Sequence, residues 1–272
     1  MKIKIIVIGK KGLLGSNLNL YLKKNNFILN LDYKNFLKKK INFINKFDYV
    51  INCTSNREYI KNKYLKKNDF DLSIANKIKD IDIQMIMLST RKVYKKGDNL
   101  KESSTLNPQN NYSKNKLTSE KTLKKILNKK VLILRISNVI GLNKRKHNKL
   151  HKTFIDIFYE NIQDGLIFNN LNAYKDFISL NKFCEIVEKL IKSNAHGIFN
   201  VSLGKKVFLR NIVKWLNFYN KKDVKLIGLS NKNKNYNFIL NNNKLMNKIK
   251  VNNSIQDLKK YCLQLSKELF KS

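Results

Sequence analysis

A chain of 272 residues with 42% hydrophobic and 10% aromatic side chains can bury a sizeable core, and its single proline excludes a Pro-rich stalk or linker. A net charge of +37 would ordinarily point to nucleic acid or an anionic membrane, yet among 56 basic residues only Arg57, Arg91, Arg135, Arg145 and Arg210 carry the planar fork that suits phosphates and bases. The lysines run end to end among equally heavy Asn and Ile, so the basicity reads as background on solvated faces: no nucleic-acid partner is expected, and no apolar run approaches the roughly 18 residues that would span a membrane.

Residues 2–8 (KIKIIVI) form a β-branched run suited to a buried parallel strand, ended by Gly9. Leu14, Leu18, Tyr21 and Leu22 then recur at helical spacing, and FILNL at 27–31 is a second strand closed by Asp32, which completes a βαβ unit. Further apolar runs at 49–51, 83–88, 131–136 and 198–201 are separated by segments long enough for helices. The pattern predicts an α/β fold with a doubly wound, mainly parallel sheet of Rossmann type. Beyond Gly141, Phe183, Ile186, Val187, Leu190 and Ile191 predict one amphipathic helix, and Leu209, Ile212, Val213 and Leu216 another. The Asn/Lys-rich stretch 231–253 predicts loops and one short strand around 236–240, and Ile255, Leu258, Cys262, Leu265 and Leu269 a last helix. Cys53, Cys184 and Cys262 are odd in number and widely spaced, so neither a disulfide framework nor a metal site is expected. The start shows no signal-peptide pattern, which makes the cytoplasm the expected compartment.

The segment from Gly9 through Lys10, Lys11, Gly12, Leu13 and Leu14 to Gly15 is Gly-x-x-Gly-x-x-Gly where a strand becomes a helix. Glycines there permit the tight turn, let a pyrophosphate approach the backbone and allow the helix to pack on the sheet, with phosphate at the helix N-terminus. Asp32, at the end of the second strand, is placed to accept both ribose hydroxyls of an adenosine, which favours NAD, while Lys34 close by leaves NADP open. Tyr112 and Lys116 form a Tyr-x-x-x-Lys pair that shares a helical face, so the ammonium can lie beside the phenol and favour its ionised form. Tyr59 and Lys63 repeat that spacing; Tyr59 is read as a surface residue.

With these residues in place the chain resembles an extended short-chain dehydrogenase/reductase of the NAD-dependent epimerase/dehydratase family, through nearly its whole length. Gly9, Gly12 and Gly15 match the cofactor glycines, and the run from Leu88 to Tyr94 (LSTRKVY) matches the strand that presents the catalytic Ser/Thr, here Thr90. Glu102, Asn107, Pro108, Tyr112, Lys116 and Glu120 reproduce the spacing around the catalytic pair. LRISNVIG at 134–141 resembles the next strand with its substrate-side Asn138, and KDFI at 175–178 the family's Arg-Asp-Phe-Ile segment.

The resemblance implies Thr90, Tyr112 and Lys116 as catalytic residues. It implies a cofactor site from Gly9, Lys11, Gly12, Leu13, Leu14, Gly15, Asp32, Cys53, Thr54 and Leu88 together with Tyr112 and Lys116, and substrate contacts from Thr90, Arg91, Asn138 and Arg145. Residues 1–141 would be the NAD(P)-binding domain, with 195–204 returning to its sheet, and 142–272 a smaller C-terminal α/β substrate lobe. Family 4,6-dehydratases carry Asp-Glu directly after the Thr where this chain has Arg91 and Lys92, which disfavours dehydration. The chain is short for an epimerase of the family, and its compact link between Asp32 and Asp48 looks more like dTDP-4-dehydrorhamnose reductases. The expected activity is therefore reduction of a keto-deoxysugar on a nucleotide, supplying surface polysaccharide, by a protein that pairs as a homodimer. The alternatives are an epimerase with tightly bound NAD and, outside enzymes, a cofactor-binding regulatory or RNA-associated protein.

Overall fold

The structure, a computed structural model, describes residues 2–142, 154–163, 165–169, 173–222, 224–228 and 237–270. Its strands in chain order are β1 (Lys4–Ile8), β2 (Phe27–Leu31), β3 (Tyr49–Asn52), β4 (Gln84–Thr90), β5 (Gly97–Leu100), β6 (Val131–Ile136), β7 (Asn138–Ile140), β8 (Leu166–Asn169), β9 (Tyr174–Lys175), β10 (Phe177–Ser179), β11 (Gly197–Val201), β12 (Val207–Phe208), β13 (Lys225–Gly228) and β14 (Phe238–Leu240). Six of them form one all-parallel sheet in the order β11-β6-β4-β3-β1-β2.

The composition of β1 explains its place. From Ile5 onward every side chain of this strand is buried, as a parallel strand covered on both faces requires. Ile5 and Val7 pack with Leu18, Leu22 and Phe183 on one face, while Ile6 and Ile8 pack with Ile74, Ala75 and Leu123 on the other, following the two-residue period of the pleat. The helices Leu13–Leu22 and Leu180–Lys192 therefore cover one side of the sheet, and Phe70–Ile78 and Asn111–Leu127 the other. Strand order reverses beside β1: the chain lays β2 on one flank and returns to put β3 on the other, opening a crevice at the carboxyl ends of β1 and β3.

The remaining strands make small pairs, β7 with β10, β9 with β12, β8 with β13 and β5 with β14. A separate apolar cluster, including Phe158, Phe177, Ile212, Trp215, Leu258 and Cys262, packs the later part of the chain. Within 231–253 the structure places β14 and also a helix, Asn243–Lys248, that the sequence pattern does not announce. That helix has almost no apolar period and is held by the complete burial of Leu245 in the main core. Among the described residues, no helix is long and apolar enough to cross a membrane.

Candidate active site

The crevice is lined first by the glycine loop. Gly9 adopts φ +124°, open in practice only to glycine, and its N–H donates to the Leu31 carbonyl at 2.8 Å, tying the loop to β2. Gly15 lies so close beneath this turn that a Cβ there would stand 2.1 Å from the Gly9 carbonyl oxygen. At Gly12 the nearest atom to an added Cβ is 3.8 Å away, so nothing in the protein itself crowds that position. Gly12 is the N-cap of the helix Leu13–Leu22, with no side-chain cap and no acid in the first turn. Unsatisfied amide donors under an uncrowded loop suit a pyrophosphate. Asp32 accepts from the Asn35 backbone N–H and side-chain amide, both at 2.8 Å, so it caps the helix Tyr33–Lys38 while facing solvent beside the loop.

Behind the loop, Thr54 Oγ1 donates to Asn52 Oδ1 at 2.7 Å, and Asn52 Nδ2 donates to Asp71 Oδ1 at 2.7 Å. The other oxygen of Asp71 accepts from Lys116 Nζ at 2.8 Å, in an ion pair with both side chains buried. Burial works against the Lys116 ammonium, but Asp71, together with Tyr59 and Tyr112, overcomes it and holds this group above its ordinary range. Burial pushes the Cys53 thiol upward, leaving it a neutral wall of the site.

Tyr112 and Lys116 lie one turn apart on the helix Asn111–Leu127. A capping box between Asn110 and Ser113 starts this helix, and Asn115 Nδ2 ties it to the Tyr59 and Asn62 carbonyls at 2.7 and 2.9 Å. Thr90 ends β4, and its Oγ1 accepts from the Lys92 N–H at 3.2 Å, capping the short 3-10 turn Arg91–Val93. The residue before it is fixed from below: Ser89 Oγ donates to Glu120, whose carboxylate is gripped by Arg135 through Nε at 3.2 Å and Nη2 at 2.6 Å. A cavity of about 230 Å³ brings Leu14, Cys53, Thr54, Leu88, Thr90, Tyr112 and Lys116 together. Ser137, whose Oγ is buried without a partner, and Val139 also line it, with Asn52, Ser55, Ser89 and Ile136, and no carboxyl group lines the cavity among the described residues.

Other expected residues stand apart from this cavity. Leu13 opens the helix behind the loop and Lys11 is exposed on it. Asn138 turns its amide to the Asp176 carbonyl at 3.3 Å, Arg91 stacks on Phe238, and Arg145 lies outside the described residues. One reading is corrected: Tyr59 is not on the surface but 3% exposed. Its hydroxyl bonds Ser119 Oγ at 2.6 Å, and its ring stands 5.6 Å from Lys116 Nζ, because the short helix Arg57–Lys61 packs against Asn111–Leu127. Asp71 is the residue that sequence reasoning missed. Its signal was an acid on the apolar stripe of a helix, in step with Ala75 and Ile78.

A parallel sheet with a glycine loop at its switch point, and a Thr, a Tyr and a Lys around the adjoining cavity, defines an enzyme of the short-chain dehydrogenase/reductase type. The NAD dependent epimerase/dehydratase family model matches residues 5–202, and the chain belongs to that family, with NAD as its cofactor. Among solved structures, a UDP-N-acetylglucosamine 4-epimerase from Methanobrevibacter ruminantium M1, in complex with UDP-N-acetylmuramic acid, is 20% identical and covers 98% of each chain, with a TM-score of 0.81. A UDP-glucuronic acid 4-epimerase from Bacillus cereus in complex with NAD is 16% identical over 99% of this chain and 98% of that one, with a TM-score of 0.78. A dTDP-glucose 4,6-dehydratase from Bacillus anthracis in complex with NAD is 16% identical over 99% and 96%, with a TM-score of 0.75. These likenesses are of fold, and no curated protein sequence matched. They support the family, not the narrower likeness to dTDP-4-dehydrorhamnose reductases.

Proposed function

We propose that the protein is an NAD-dependent epimerase of a nucleotide-linked sugar, with Thr90, Tyr112 and Lys116 as its catalytic residues. The observation that carries this reading is the end-to-end fold match to a 4-epimerase, which covers 98% of both chains and removes the argument that this chain is too short for one. When bound, NAD supplies a nicotinamide that takes hydride from a sugar carbon and can return it.

The chain's own groups handle the proton. Thr90 Oγ1 hydrogen-bonds the reacting sugar oxygen, and the Tyr112 phenol oxygen takes the hydroxyl proton as the carbon is oxidised and gives it back on reduction. Lys116 spends one of its three ammonium hydrogens on Asp71, which leaves two for a ribose. In this reading Asp32 takes the adenosine ribose and the uncapped N-terminus at Gly12 the pyrophosphate. Dehydration needs acid and base groups at the neighbouring carbons, and a cavity wall without a carboxyl group gives it no support.

The test is to purify the protein without added nucleotide, denature it and identify the released dinucleotide by mass spectrometry. Near-stoichiometric NAD is the expected result. An empty site that binds and releases NADH or NADPH would turn the reading to a keto-sugar reductase, and no binding of any of these would overturn both.

A further inference from the structure

Three cations stand together just past Thr90 with no ion-pair partner among the described residues. Arg91 and Lys92 open the 3-10 turn after β4, and Lys175 lies on β9. The Arg91 guanidinium lies 3.4 Å from the centroid of the buried Phe238 ring, so the fork is held by its face. Its Nε is buried with no hydrogen-bond partner, and neither lysine ammonium has a carboxylate within ion-pair distance among the described residues. Arg91 and Lys92 share one turn, Arg91 stacks on β14, and β14 packs on the β9 that carries Lys175; burial and the neighbouring Arg91 push both lysines below their ordinary range. Asp176 is the one acid acting on Arg91, and its carboxylate is already engaged by the Gly204 and Leu240 N–H groups at 3.2 and 3.1 Å.

Elsewhere in this protein a buried cation comes with its acid: Lys116 with Asp71, Arg135 with Glu120. Arg91 and Lys175 are half-buried and Lys92 is exposed, and like charges gathered there repel one another unless an anion arrives from outside. Arg91 directly follows Thr90, whose hydroxyl meets the reacting sugar oxygen in the reading above, so the cluster begins one residue beyond the reacting end of the sugar. We infer that Arg91, Lys92 and Lys175 form a subsite for a carboxylate carried by the sugar, making the substrate an acidic sugar nucleotide; this rests on the nucleotide-sugar reading above.

The competing source of negative charge is the diphosphate, which acidic and neutral sugar nucleotides share. The experiment titrates NAD-loaded protein calorimetrically with UDP-glucose and UDP-glucuronic acid, and with the dTDP-linked pair, with UDP and dTDP alone as controls. The acidic member should bind about tenfold or more tightly than its neutral partner, and Arg91→Gln should close most of that gap. Lys92→Gln, which leaves the Phe238 stack intact, should narrow it in the same direction, and retained NAD reports that each variant is folded. Equal affinities overturn the subsite, as does a gap that survives both variants. Parallel losses on acidic sugar, neutral sugar and bare nucleotide also overturn it, by giving the cations to the diphosphate. If NAD binds but no sugar nucleotide does, the nucleotide-sugar reading itself fails and the subsite falls with it.

Discussion

The two sides of Thr90 treat positive charge in opposite ways. Toward the cofactor, Lys116 is matched by Asp71 at 2.8 Å, and Asp71 by Asn52 at 2.7 Å, a closed circuit within the chain. Toward the substrate, Arg91, Lys92 and Lys175 have no such match among the described residues. A charge that only holds the fold together is completed by the fold. A charge left incomplete marks where the protein expects a ligand.

The sharpest way to break this contrast is Asp71→Ala. It strands the Lys116 ammonium in the core, and urea unfolding should show a loss of about 3–5 kcal/mol. A loss under 1 kcal/mol would mean that water or Tyr59 serves Lys116 as well as Asp71 does.

A second contrast is readable in pH. Burial pushes the Asp176 carboxyl up to about 7 despite backbone hydrogen bonds from Leu240 and Gly204. The folded state therefore holds a proton that the unfolded state releases near its ordinary value of 3.8. Stability from this group is greatest below that value, falls as pH rises through the window and is spent above about 7. Thermal melts across that range should show the decline, and Asp176→Asn should flatten it.

Gly15→Ala tests the cofactor side as rigid backbone. Its methyl would meet the Gly9 carbonyl at 2.1 Å, so a stability loss of about 1–3 kcal/mol is expected, and the protein should no longer copurify with NAD. The smallest effect belongs to Arg91→Gln without ligand. Lost stacking on Phe238 is offset by relief of repulsion among three cations, so the unfolding free energy should change by less than about 1 kcal/mol. A loss as large as that of Asp71→Ala would show that Arg91 is structural.

Legibility in the sequence follows the same division between local and distant causes. The runs that become β1, β2 and β6 are apolar and β-branched enough to declare themselves, as do the glycines whose spacing serves one turn. Thr90, Tyr112 and Lys116 could be found because each sits in a short pattern, and the structure gathers them at one cavity. Asp71 and Tyr59 could not, since their roles depend on partners 45 and 60 residues away. The helix Asn243–Lys248 escaped for a related reason: one leucine, entering a core built mostly by other segments, fixes it.

The position of β11 has a consequence for synthesis. Among the described residues this strand, Gly197–Val201, is the only neighbour β6 has on its outer flank, and β6 is buried at every position once paired. Until the ribosome has delivered β11, the edge of Val131–Ile136, apolar at every position but Arg135, is an open template for another chain. At about 5–20 residues per second, some 60 residues of waiting leaves it unguarded for roughly 3–12 seconds. Anything that stalls translation between those two strands would lengthen that interval and favour aggregation of a half-built sheet.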